Sequence, residues 1–179
     1  MPSDTDLGII CRIKNGEIDE FEILIKKYEK RLFVLTRNLL RTPDRVEDLV
    51  QEVFLAAYRN IHSFNPQLGD FSTWLMRIAR NKCLNVIKKK KEIPISTVPE
   101  MSGRENPEED LARKEAFRRL DQALKMLPPK HRIVFVLAEI QGFSHKEIAE
   151  IEKTRIGTVK SRISRAKEKL CTLLSESTD

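Results

Sequence analysis

The stretch "SHKEIAEIEKTRIGTVKSRISRAKEKL", residues 144–170, contains two amphipathic helical patterns separated by a short break. Ser144 and Glu147 have the spacing of a capping box, in which each side chain binds the other residue's backbone N–H, and they predict the start of a short helix. Glu152 and Lys153 interrupt the pattern, and Thr154 is positioned to cap a second, longer helix. Two helices joined by so short a turn predict a helix-turn-helix.

The second helix of this motif has two chemically different faces. Its apolar residues recur at helical spacing and predict a packing stripe: Ile156, Val159, Ile163, Ala166 and Leu170. The opposite surface carries polar and basic residues that could reach bases and phosphates in a major groove: Arg155, Thr158, Lys160, Ser161, Arg162, Ser164 and Arg165. A solvated basic face is the alternative, and the capping box and short turn make it less favoured. A membrane-surface helix is disfavoured because the outer face lacks Trp and Phe.

Composition favours an anionic partner and argues against catalysis. The 179 residues carry a net charge of +6, with a pI of about 9.3. The three cysteines are far apart and form no C-x-x-C pair, so we expect reduced thiols, no metal and no cofactor. We find no catalytic motif, signal-peptide pattern or membrane-length apolar run, which predicts a cytoplasmic protein without catalytic residues and without membrane insertion.

The rest of the chain predicts an all-α fold with two small domains. Apolar residues upstream recur every three and four positions over several long segments, as in amphipathic helices. The composition then changes abruptly over "EIPISTVPEMSGRENPEED", which is acidic, contains three prolines and has no apolar period. We therefore predict a first domain at 1–91, a flexible acidic linker at 92–110 and the helix-turn-helix domain at 111–179.

Three polar surfaces of the first domain are open to more than one interpretation. In the helix predicted to end near residue 91, Trp74 could stack on unpaired bases beside neighbouring cations, although a Trp at this position is more often part of the core. The preceding loop, His62–Phe71, contains Asn65 and Asp70, whose side chains are able to bind a base edge. The acidic surface around Asp48 is either a solvated face or a protein-docking surface.

At this point two segments resemble a known family. "DRVEDLVQEVFLAAYRNIHSF" (44–64) with "FSTWLMRIARNKCLNVIKKKK" (71–91) resembles region two of bacterial sigma factors. "LPPKHRIVFVLAEIQGFSHKEIAEIEKTRIGTVKSRISRAKEKL" (127–170) resembles region four. The two-region organisation is similar to the extracytoplasmic-function (ECF) group. The turn departs from the family, which often has Gly where Lys153 stands, and a left-handed non-Gly residue there would cost on the order of 1 kcal/mol.

The resemblance implies a sigma factor that binds core RNA polymerase and starts transcription of a stress or envelope-type regulon. Binding to the polymerase β′ clamp helices would involve Asp44, Glu47, Asp48, Gln51 and Glu52. Binding and melting of the −10 element, including capture of a flipped base, would involve His62, Ser63, Phe64, Asn65, Asp70, Trp74, Arg77, Arg80, Asn81 and Lys88. Recognition of the −35 element would involve the seven polar residues of the helix-turn-helix.

The same resemblance implies further partners: the polymerase β flap, promoter DNA and an anti-sigma factor. The linker would extend toward the RNA exit path of the polymerase. A stand-alone helix-turn-helix regulator is the alternative function, and it leaves the first domain without a role. A nucleic-acid-processing enzyme would need a catalytic constellation that the sequence does not contain.

Overall fold

The computed structural model describes residues 5–40, 43–91 and 109–175, and all regular structure in these ranges is helical. The all-α prediction is therefore confirmed. The predicted linker lies outside the described residues except at its last two positions. In the described ranges, no helix has both the length and the apolar character needed to cross a membrane. The α-helices are α1 (Asp6–Lys14), α2 (Phe21–Leu39), α3 (Val46–Arg59), α4 (Phe71–Lys91), α5 (Glu109–Met126), α6 (Pro129–Phe135), α7 (His145–Glu152) and α8 (Ile156–Ser175).

The first four helices form a bundle around α2. This helix packs against α1, α3 and α4, and its residues Leu24, Leu32 and Leu35 are fully buried. The apolar stripe of α3 is buried against the bundle, namely Val46, Leu49, Val50, Val53, Phe54 and Ala57. Because the acidic residues of α3 lie on its other side, packing leaves them exposed to solvent.

An aromatic cluster anchors the loop between α3 and α4. The loop contains two short 3₁₀ turns, Ile61–Ser63 and Pro66–Leu68, with Phe64 between them. Phe64 is buried, and its ring centroid lies 5.6 Å from those of both Phe71 and Trp74 in edge-on arrangements. Such aromatic pairs add about 0.5–1.5 kcal/mol beyond the burial of their area. The cluster therefore holds this loop against the first turn of α4.

The second half of the chain consists of α5–α8. Helix α6 continues directly into a π-helix, Val136–Ile140, so the β-branched stretch after Pro129 is helical, as predicted. The backbone N–H of Gln141 donates to the Val136 carbonyl at 3.0 Å, five residues back, which is the wider turn of a π-helix. Part of α5 packs on α8 through a separate small core: Ala123, Leu124, Leu127, Ala166 and Leu170.

The two halves of the chain pack tightly against each other. A single continuous apolar core combines buried residues of α1–α4 with residues of the second half, including Ile133, Leu137, Ile148 and Val159. The Arg132 guanidinium donates across the boundary to the Leu39 carbonyl at 3.2 Å. Arg31 and Gln141 each donate from the side chain to the other's backbone carbonyl, at 3.1 and 2.7 Å. The sequence predicts two domains without fixing their arrangement, and the structure joins them into one body.

The cysteines provide a direct test of this packing. Cys11 and Cys171 are exposed, whereas Cys83 is buried in α4, and burial raises the pKa of its thiol to about 12. Since the thiolate is the reactive form, N-ethylmaleimide at neutral pH should modify two thiols of the folded chain and all three after unfolding in urea. Intact-mass measurement gives the count. Rapid modification of a third thiol in the folded chain would contradict the buried position of Cys83.

Candidate nucleic-acid interface

The helix-turn-helix begins with the capping box that the sequence predicts. The Glu147 N–H donates to the Ser144 hydroxyl at 3.3 Å, and the Ser144 N–H donates to the Glu147 carboxylate at 2.7 Å. These two bonds satisfy backbone donors that would otherwise have no partner at the start of a helix. They fix the first residue of α7, and with it the direction of the short helix that precedes the turn.

The turn between α7 and α8 is a Schellman-type ending that contains a strained residue. Lys153 has φ 49° and ψ 51°, in the left-handed region, and is the only non-glycine residue with positive φ in the described ranges. The N–H groups of Lys153 and Thr154 donate to the carbonyls of Glu150 and Ala149, at 3.3 and 3.0 Å. The prediction that Thr154 caps α8 is wrong, because the Arg155 carbonyl accepts the first bonds of that helix.

Helix α8 presents one face to the core and one to solvent. Val159, Ile163, Ala166 and Leu170 are buried, but Ile156 is 45% exposed, so its assignment to the packing stripe is wrong. It lies in the first turn, beyond the edge of the core. Most of the residues predicted to read DNA are exposed: Arg155, Lys160, Ser161, Ser164 and Arg165, with Thr158 half-buried. This exposed set forms a continuous polar surface that no other described part of the chain covers.

Arg162 differs from the rest of the α8 surface. Its side chain is 19% exposed, and it donates to the Glu152 carboxylate at 3.1 Å. The other oxygen of the same carboxylate accepts from Arg80 Nε of α4 at 2.7 Å. The structure thus brings together two arginines that the sequence assigns to different DNA elements, and joins them through an acid that the sequence analysis does not single out.

A signal for Glu152 is nonetheless present in the sequence. It stands four residues after the apolar Ile148, on the side of α7 that the helical period predicts to be buried. A charged residue at a buried helical position requires a partner of opposite charge, because an unpaired buried charge is strongly unfavourable. The sequence does not reveal which cations those are, since Arg80 is 72 positions away.

The loop predicted to bind the −10 element is largely accessible. His62, Ser63, Asn65 and Asp70 are exposed, whereas Phe64 is only 3% exposed and its ring belongs to the aromatic cluster. Phe64 therefore supports the loop from inside in this structure and does not line its surface. The Asn65 side-chain oxygen accepts from the Gln67 N–H at 3.0 Å, which leaves the Asn65 amide nitrogen for an external acceptor.

The polar face of α4 continues from this loop. Trp74 is half-buried against Phe64 and Phe71, which agrees with its interpretation as a core residue and leaves part of its ring in contact with solvent. Arg77 is half-buried, and Asn81 and Lys88 are exposed. Arg80 also donates to the Asn81 side-chain oxygen at 2.9 Å. The cations predicted to hold separated DNA strands thus lie along a single helix.

The acidic surface of α3 and the preceding 3₁₀ turn is open to solvent. All five residues predicted to bind polymerase are exposed: Asp44, Glu47, Asp48, Gln51 and Glu52. Glu52 accepts from Lys82 of α4 at 2.8 Å.

His131, which the sequence does not single out, lies close to Arg162 and Arg165 of α8. Burial lowers its pKa, and the positive charges of Arg165 and Arg162 lower it further.

Comparisons with known proteins agree with this architecture. Residues 24–93 match the family Sigma-70 region 2, and residues 117–170 match Sigma-70, region 4. The chain is similar to the ECF RNA polymerase sigma factor SigW of Bacillus subtilis, with 35% identity over 90% of this chain and 92% of SigW. It is also similar to the ECF RNA polymerase sigma-E factor of Escherichia coli K12, with 33% identity over 92% of this chain and 91% of the relative.

Two solved structures have a similar fold. CnrH, in complex with the cytosolic domain of CnrY, aligns with a TM-score of 0.74 and 26% identity, over 94% of this chain and 96% of CnrH. The sigma factor RpoE of Bartonella quintana, in complex with the anti-sigma factor NepR, aligns with a TM-score of 0.72 and 26% identity, over 87% of this chain and 97% of RpoE.

The strained turn yields a stability prediction. Lys153→Gly should raise the free energy of unfolding by roughly 0.5–1 kcal/mol, because glycine adopts the left-handed conformation without a Cβ clash but loses more entropy on folding. Urea unfolding followed by circular dichroism measures the change. The matched control, Lys169→Gly in the exposed part of α8, should lower stability by about 1 kcal/mol. A destabilised Lys153→Gly variant would contradict the strain.

Proposed function

The chain belongs to the ECF group of RNA polymerase sigma factors, which start transcription with the polymerase and are not enzymes themselves, and from this premise we propose a division of roles among its residues. The exposed polar face of α8, carried by a capped helix-turn-helix, is the observation on which the proposal mainly rests. The first domain acts on the −10 element and on polymerase. The second acts on the −35 element. The domain limits are 1–91 and 111–179, with the acidic linker at 92–110 passing toward the RNA exit path.

Recognition of the −35 element is assigned to α8. Lys160, Ser161, Ser164 and Arg165 contact base edges, and Arg155 and Arg162 contact phosphates, with Thr158 at the side of the helix. Exposure of most of these side chains supports the assignment, since a helix must present a continuous polar face to enter the major groove. Arg162 needs its bond to Glu152 broken, or shared, before it can bind a phosphate.

Capture and melting of the −10 element are assigned to the loop His62–Phe71 and to α4. His62, Ser63, Asn65 and Asp70 offer exposed polar groups for a base taken out of the stack, and Phe64 and Trp74 hold the loop in shape. Arg77, Arg80, Asn81 and Lys88 hold the backbones of the separating strands. Their alignment along a single helix supports this assignment.

Docking on the β′ clamp helices of core polymerase is assigned to the acidic surface of α3, and the second domain meets the β flap. We further propose an anti-sigma partner, because two structural relatives were solved in complex with such a regulator or a cytosolic partner domain. A stress or envelope-type regulon and a cytoplasmic location are part of the proposal, and the similarity to the ECF sigma factors SigW and sigma-E supports them. Run-off transcription from genomic fragments with core polymerase tests the function as a whole.

The docking role is tested by charge reversal. Asp48→Arg should weaken binding to core polymerase at least about tenfold, equivalent to about 1.4 kcal/mol, because it places a cation where the complementary surface requires an anion. Titration of fluorescently labelled protein with core polymerase measures the affinity. Glu29→Arg makes the same charge change at an exposed site of α2 and should leave the affinity unchanged. Equal affinities for Asp48→Arg and wild type would exclude α3 as the docking surface.

The two kinds of DNA contact are separable by salt. Once a promoter is found, Arg165→Ala should weaken binding to the native −35 duplex by about 1–3 kcal/mol. It should also reduce the preference for the native base at one base pair. Arg155→Ala should weaken binding to all sequences and reduce the slope of log K against log salt by about 0.9. Fluorescence anisotropy over a salt series measures both quantities. Lys146→Ala, an exposed cation of α7, is the control, and a base-specific loss for Arg155→Ala would reverse the assignments.

A further inference from the structure

A buried carboxylate joins the two halves of the molecule. The Glu152 side chain is 1% exposed, and each of its oxygens accepts a charge-assisted hydrogen bond. One donor is Arg80 Nε of α4, at 2.7 Å, and the other is Arg162 of α8, at 3.1 Å. Guanidinium groups bind carboxylates and phosphates with the same geometry. Glu152 thus occupies, on both arginines, a place that a DNA phosphate could take.

A second residue of α7 also lies close to the first domain's proposed DNA surface. Helix α7 packs against α4, and the Glu150 carboxylate is 3.1 Å from the position that a Cβ would have on Gly69. Gly69 lies in the loop that is proposed to capture a flipped base, and its φ of 134° sets the path of that loop into α4. An acidic edge of the second domain therefore lies where the separated strands would have to pass.

We propose that Glu152 is the latch of an autoinhibited closed form, in which α7 takes the place of DNA on the first domain. The latch rests on the proposed function, since it requires Arg80 and Arg162 to be DNA contacts. It pairs one arginine from each DNA-binding surface with the same acid. Opening of the molecule frees both arginines in one step, so one contact of each promoter element becomes available at the same time.

Neighbouring contacts hold the same interface without involving the proposed DNA contacts. Arg31 and Gln141 exchange hydrogen bonds, and the Arg31 guanidinium lies 4.6 Å from the centroid of the Phe143 ring. With the shared apolar core, these contacts give the closed form its shape. Glu152 adds the step that depends on charge. The inhibition is unequal, because Arg80 of α4 is mostly buried beside α7 whereas most of the polar face of α8 stays exposed.

The distance between the two halves tests the latch without DNA or polymerase. Cys11 in α1 and Cys171 in α8 are exposed, and Cys83 is buried, so the native chain accepts one spin label on each half. Double electron–electron resonance should give one narrow distance for the wild type. Glu152→Gln and, independently, Arg80→Gln should broaden it toward longer distances. Glu139→Gln removes the same charge from an ion pair with Lys167 that lies wholly within the second half, and should leave the distance unchanged.

Two outcomes of the distance measurement count against the latch. Wild-type distances in both latch variants, or a broad distribution in the wild type itself, would overturn the latch. Circular dichroism identifies a variant that fails to fold, and in that case the other latch variant is decisive. Because Glu152→Gln and Arg80→Gln remove opposite charges, opening in both cannot arise from a change in net charge.

Binding to single-stranded DNA tests whether the closed form is inhibitory. The probe is a fluorescein-labelled, adenine- and thymine-rich single-stranded oligodeoxynucleotide, followed by anisotropy at fixed salt. Glu152→Gln should bind it about tenfold more tightly than the wild type, and Glu139→Gln, with the same net charge, should not. Equal affinities for the two variants would overturn the inhibitory role even if the distance changes.

Run-off transcription with core polymerase separates the latch from the proposed function. If the wild type supports no transcript, the proposed function fails, whatever the distance measurement gives. If it supports transcripts while both latch variants keep the closed distance, only the latch fails. Longer spin-label distances in both latch variants, together with transcription by the wild type, would support both the latch and the proposed function.

Discussion

Removal of the Glu152 carboxylate from water is the constraint on which the arrangement of the second domain depends. An isolated buried charge is so unfavourable that it must be paired and hydrogen-bonded on both oxygens. Arg162 can satisfy only one of them from within the helix-turn-helix, and the second bond comes from Arg80. The middle of α4, the end of α7 and the first half of α8 therefore have to meet at one point. The angle between the two halves follows from that meeting together with the apolar contacts around it.

The apolar core explains why the pairing is not an isolated surface contact. Helix α6, the π-helix after it and α7 bury Ile133, Leu137 and Ile148, respectively, in the same cluster that contains the centre of α2. Each half still has internal packing of its own, since α2 is enclosed by α1, α3 and α4, and α5 packs on α8. The halves share one core in this structure, and an open form requires each half to rely on this internal packing.

Local periodicity predicts most of the helices because apolar residues recur every three to four positions on the buried face of a helix. The α3 stripe, the Ser144–Glu147 capping box and the helical nature of the stretch after Pro129 all follow from neighbouring residues. The predictions for Ile156 and Thr154 are wrong because the period does not say where a core ends or which residue caps a helix that follows a left-handed turn. The contact of Glu152 with Arg80 is beyond any local pattern, since tertiary packing alone brings them together.

A chain with a net charge of +6 and two proposed cationic DNA surfaces should tend to hold those surfaces apart. The closed structure brings them together only at the point where an acid stands between them. The acidic surface of α3 lies outside this contact and remains exposed in the closed form. Under the proposed latch, polymerase can therefore dock on α3 before the halves separate, and opening can follow docking. In that order, Arg80 and Arg162 become free only on a molecule that is already bound to polymerase.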